Sequence, residues 1–177
     1  MESKLSYSVK KIAWGYLFLH LNFTLFVINI LPDWAGFILF FSALSIIREE
    51  DESAGLLSPF CVALGLWEGL LWAAAIVGLE VNSTILELIV SIISIYFHFQ
   101  LLTNLSVVAE RYRCPQAGSI RLLRTVRTII STLLALPFPY ADHEVLVFIS
   151  ILISLAAAIW LIAVLFSLRR SLAEIGV

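Results

Sequence analysis

Charge is scarce in this chain. Only 14% of its 177 residues are Asp, Glu, Lys or Arg, against about a quarter in a soluble globular domain. The 11 basic and 13 acidic residues leave a net charge of −2. The basic excess that marks a nucleic-acid-binding protein is therefore missing. Cysteine is scarcer still. Cys61 and Cys114 stand far apart and belong to no C-x-x-C or Cys/His cluster, so they read as two free thiols rather than a disulfide framework or a zinc site. There is no Gly-rich phosphate loop, no G-x-S-x-G, no H-E-x-x-H and no nucleophile paired in sequence with a base. Those absences weigh against an enzyme without excluding an intramembrane one. No cofactor is expected.

What the chain has is apolar surface. Hydrophobic residues make up 61% of it, and the mean hydropathy is +1.01. One small core cannot hide that much apolar surface, and a disordered chain would not carry it. The expectation is an all-α, integral membrane bundle. A spanning helix needs about 20 mostly apolar residues. The sequence divides into six such segments, near 12–31, 32–47, 59–79, 85–107, 120–139 and 145–168. They read as three helical hairpins in series, forming one polytopic domain over 1–177 with no room for a soluble domain.

Local signals set these boundaries. The N-terminal MESKLSYSVKK precedes a long apolar run that ends in Leu31-Pro32-Asp33-Trp34, not in a small-x-small cleavage site. This reads as an uncleaved first helix. Pro32 and Asp33 open the second span, because proline suits a first helical turn and an acid favours the positive end of the dipole. Arg48 to Glu52 reads as an acidic loop. Ser58 and Pro59 read as N-cap and first residue of the third span. The fifth span carries Arg121, Arg124 and Arg127, whose side chains are expected to snorkel into the headgroups.

Topology follows from the basic residues. With the N-terminus in the cytoplasm, all 11 of them fall on the inner side of six crossings, as the positive-inside rule requires. A bacterial cytoplasmic membrane protein with both termini inside is expected. Trp14, Tyr16 and Tyr112 suit an inner aromatic belt, and Trp34 and Tyr140 an outer one.

Ionisable groups inside the spans are the functional candidates. They are His20, Glu68 and His98. At a rise of ~1.5 Å per residue, they lie roughly 12, 14 and 10 Å above the inner face. They could therefore share one level and relay protons, hold a cation or grip a polar solute. On span four, Glu87, Ser91, Ser94 and His98 are spaced 4, 3 and 4, which puts them on one helix face. Such a stripe should meet the bundle interior or a wet cleft. Alternatively, each of these groups simply hydrogen-bonds across a helix interface. Gly65, Gly69 and Ala73 form a small-residue ridge suited to another helix, within the chain or in a partner protein. The basic loop from Arg111 to Arg127 offers a second partner surface or attracts anionic lipid.

The stretch from Asn29 to Phe37, reading N-I-L-P-D-W-A-G-F, resembles a turn found early in small, uncharacterised bacterial multi-pass proteins. In those, L-P-D-aromatic-x-G opens the second helix. The resemblance covers about nine residues and implies no activity. In length and helix number the chain is also similar to the substrate-binding subunits of energy-coupling-factor vitamin transporters, with no shared motif. The functional expectation is a non-enzymatic membrane subunit that binds a small solute or a protein partner, as part of a transporter. The alternatives are proton or cation handling by the Glu/His cluster and an intramembrane metal-dependent enzyme.

Overall fold

The computed structural model describes residues 3–20, 24–25, 28–29, 32–79, 81, 83–135 and 144–176. Six helices carry the fold: α1 (Lys4–His20), α2 (Asp33–Glu50), α3 (Ser58–Ile76), α4 (Thr84–Arg111), α5 (Ala117–Ala135) and α6 (Glu144–Ile175). Three helical stretches are long and apolar enough to cross a membrane: Glu52–Ile76, Thr84–Arg111 and Phe148–Ile175.

Each helix packs on the next, and α1 also packs on α6, so the six close into a ring. Their alternation is fixed by contacts at one end. Ser6 Oγ donates to the Arg169 carbonyl at 3.1 Å. Arg111 reaches Glu50 Oε2 at 3.0 Å, and the Tyr112 hydroxyl donates to Glu50 Oε1 at 3.0 Å. The Gln116 amide donates to Ser167 and Ser171. The basic loops therefore gather at a single end of the bundle. That end is the well-packed one. Ile12, Tyr16, Phe40, Leu44, Ile47, Leu57, Leu101, Leu105, Leu165 and Leu168 are all buried there. Toward the other end, Leu66, Ile85, Leu88, Val145 and Phe148 are exposed.

Several boundaries differ from the sequence expectation. The expected first span over 12–31 is not one continuous helix: α1 is described as far as His20. Beyond it, Thr24–Leu25 (β1) pairs antiparallel with Ile28–Asn29 (β2). The stretch is rich in β-branched and aromatic residues, which favour extended backbone. Helix α2 runs on through Arg48, Glu49 and Glu50, and Asp51 is its C-cap. The Asp51 carboxylate then accepts the Ser53 N–H at 3.1 Å, starting a 3-10 turn over Glu52–Leu57 that leads straight into α3. The expected acidic loop is thus mostly helical, and Ser58 is already inside α3. Helix α3 ends at Ile76, and Gly78, two residues on, has a φ of +72° that suits glycine. Helix α6 continues past Arg169 and Arg170 to Ile175. Residues 136–139 of the fifth span, and Tyr140, lie outside the described residues.

Apolar surface already faces lipid in a membrane, so helices associate through close packing and hydrogen bonds. The α1–α2 seam shows this. A Cβ on Gly36 would stand 2.8 Å from the Gly15 carbonyl oxygen, and one on Gly15 would stand 2.5 Å from Phe40 Cε1. The two backbones meet where neither has a side chain. On α3, Gly65 packs against Phe37 and Gly69 faces Trp34, while the Cys61 thiol donates to the Phe37 carbonyl. The Gly65/Gly69 ridge is therefore occupied by α2 of the same chain, and Ala73 lies exposed beyond it.

Candidate functional site

Above the packed half, the ring opens into a cavity of about 380 Å³ between α2, α3, α4 and α5. Its polar lining comes from Glu68 on α3, Ser91, Ser94 and His98 on α4, and Arg127, Thr128 and Ser131 on α5. The stripe on α4 faces inward at Ser91, Ser94 and His98. Glu87, one turn further out, is exposed. The 4, 3, 4 spacing thus delivers three of its four residues to the interior.

The floor of the cavity is a connected polar cluster. Tyr16 is fully buried, so it is not a belt residue. Its ring lies against Phe40 and His98. Its hydroxyl is 3.2 Å from His98 Nδ1. One turn on, His20 Nδ1 lies 2.7 Å from the Tyr16 carbonyl oxygen. The other His20 nitrogen, Nε2, is 2.9 Å from an Arg127 terminal nitrogen. Arginine only donates. Nε2 must therefore accept, and Nδ1 carries the proton given to the Tyr16 carbonyl. Both His20 nitrogens are thereby committed and its tautomer is fixed.

Arg127 also stacks its guanidinium over the Tyr16 ring, 5.2 Å from the centroid. This corrects the expectation that the three arginines of α5 snorkel to the headgroups. Arg121 pairs with Glu110 at the surface. Arg124 bonds Thr103 Oγ1 at 3.1 Å and covers the Phe99 ring. Arg127, one turn deeper, points into the bundle. A smaller cavity of about 120 Å³ lies against α6 and shares Arg127 and Ser131 with the first. It also touches His20 and Ser154, whose buried hydroxyl has no partner among the described residues.

Of the expected constellation, His20 and His98 meet through Tyr16. Glu68 shares the cavity with His98 but bonds neither histidine among the described residues. Sequence reasoning missed Arg127 and the burial of Tyr16. The signal for Arg127 was available: Arg124, Arg127, Thr128 and Ser131 follow 3- and 4-residue steps, so they form a polar face on α5 like the one noted on α4. Among the described residues, no group of three His, Cys, Asp or Glu side chains is placed to hold a metal ion. Compared with known proteins, the chain matches no family model, no curated protein and no solved structure.

Proposed function

We propose that this protein is a six-span membrane protein that binds a small polar solute inside its helix ring, as a non-enzymatic subunit of a transport system. The carrying observation is the cavity of about 380 Å³ with Glu68, Ser91, Ser94, His98 and Arg127 converging on it. Small-molecule sites commonly measure roughly 300–1,000 Å³ and combine an apolar lining with a few oriented polar groups. Helices α1, α2 and α5 complete the six crossings in this reading. The single-ended grouping of basic residues supports a cytoplasmic membrane location with both termini inside.

The test is binding by the purified protein in lipid nanodiscs. Native mass spectrometry and thermal-shift screening against amino acids, organic acids, polyols and amines should find a solute that binds saturably. Ser94→Phe, which fills the cavity, should abolish that binding while the protein still folds. Saturable binding that survives Ser94→Phe, or none in the wild type, would overturn the reading.

Proton or cation handling is the second reading, favoured by the His98–Tyr16 contact that leads from the cavity to His20. The locked tautomer of His20 argues against a carrier role for that residue and leaves Glu68 and His98. Glu68→Gln should then abolish a pH-driven flux in liposomes, and an unchanged flux would retire this reading. For a protein partner, Ala73 and the basic surface from Arg111 to Arg121 are the faces left open.

A further inference from the structure

We infer that the solute is a small zwitterion, an α-amino acid with an apolar side chain, held with its carboxylate on Arg127 and its ammonium on Glu68. This rests on the cavity being a solute site, and it assigns that site's chemistry.

Arg127 lies ten residues into α5, about 15 Å from the start of the helix. Its guanidinium stays charged and offers five N–H donors. The protein uses few of them: one reaches His20, and the face rests on Tyr16. Among the described residues no carboxylate forms an ion pair with it, the ion pairs being Arg111–Glu50 and Arg121–Glu110. Glu68 lines the same cavity from α3, and it too has no ion-pair or hydrogen-bond partner among the described residues. A cation and a carboxyl group thus face one cavity without touching each other.

Isolated charges away from water are costly unless they are paired and hydrogen-bonded. The possible solutes differ in how they relieve that cost. An anion satisfies Arg127 and meets a second acid at Glu68. A cation does the reverse. A neutral polyol leaves both charges unpaired. A zwitterion gives each group its opposite, and a carboxylate matches the planar guanidinium fork bidentately. The hydroxyls of Ser91, Ser94 and Ser131 have no hydrogen-bond partner among the described residues, so they are free to complete the carboxylate's shell. The rest of the wall, including Phe37, Leu64 and Leu134, is apolar and receives the side chain.

The experiment uses nanodisc-reconstituted protein and isothermal titration. The probes are alanine, valine, leucine and phenylalanine, with isocaproate (leucine without its amine), isoamylamine (leucine without its carboxylate) and xylitol. At least one amino acid should bind saturably, and isocaproate and isoamylamine at least about tenfold more weakly than leucine. Arg127→Gln and Glu68→Gln should each cost the amino acid at least about tenfold, and Glu68→Gln should erase the preference for leucine over isocaproate. Arg127→Lys, which keeps the charge, should retain part of the binding and guards against mistaking misfolding for lost recognition. Equal affinity for isocaproate and leucine in the wild type would overturn the proposal in favour of an anion site. Saturable xylitol binding with no amino acid bound would overturn the zwitterion but leave the cavity as a solute site. No saturable binding of any probe or screened solute would overturn both.

Discussion

Arg113 adopts a φ of 53° directly after α4. Its neighbour Cys114 donates its N–H to the Ala109 carbonyl at 2.7 Å, the six-to-one bond that closes a helix in a Schellman turn. Glycine is the usual occupant of that left-handed position, and an L side chain there costs roughly 1–2 kcal/mol. Glycine returns about half of that gain to the unfolded chain as entropy. Arg113→Gly should therefore raise stability by roughly 0.5–1 kcal/mol, seen as an upward shift of the thermal midpoint in detergent. A lower midpoint would mean that the Arg113 side chain makes a stabilising contact. At this same scale Arg127 was the hardest residue to read. An arginine in the first half of a helix such as α5 reads alike whether it reaches outward or turns inward. The rotation of α5 decides, and that rotation is set by helices far away in sequence. His98, Ser91 and Ser94 were legible because their spacing alone defines a face.

At the scale of elements, the bundle depends on how closely α1 and α2 approach. Gly36→Ala drives a methyl group to within 2.8 Å of the Gly15 carbonyl oxygen. The helices must separate, and overpacking of this kind costs typically about 1–3 kcal/mol. A chemical or thermal melt of the variant should show that loss, while Gly118→Ala, which meets nothing within 4 Å, should not. An equal response from the two would deny the seam its role. Three helical stretches among the described residues are long and apolar enough to span a membrane, and the helices were legible as apolar runs. Their ends were less so. The first apolar run continues to Leu31, so hydropathy could not reveal that Thr24–Leu25 and Ile28–Asn29 pair as strands; the β-branched residues there carried the only hint. Asn104 shows a second limit. Fully buried, it is oriented so that its oxygen accepts the Ala54 N–H at 2.9 Å and its nitrogen donates to the Gln100 carbonyl at 2.9 Å. It thereby ties the 3-10 turn to α4, a pairing no spacing rule announces.

At the scale of the whole molecule, the basic loops share one end, and the cavity, with Arg127 in its wall, opens beyond the packed half. Reporter fusions give a direct check of the orientation. A fluorescent protein fused after Ile175 should fold and fluoresce in the cytoplasm. An alkaline phosphatase inserted between α3 and α4 should be active outside. A dark fusion after Ile175, together with an inactive phosphatase between α3 and α4, would invert the topology. The grouping of charge was legible from composition and order alone. The closed ring was not, because the contact of α1 with α6 joins the two segments most distant in sequence.

That closure has a mechanical side. The start of α1 and the last turns of α6 meet at one point, where Ser6 bonds the Arg169 carbonyl, and the seam continues upward to Trp14 edge-on to Phe166. A force applied between these two helix ends loads the seam at its tip. The contacts then yield one after another, as a zipper does, instead of resisting together in shear. That seam therefore resists a force along the helices better than a pull that parts their ends.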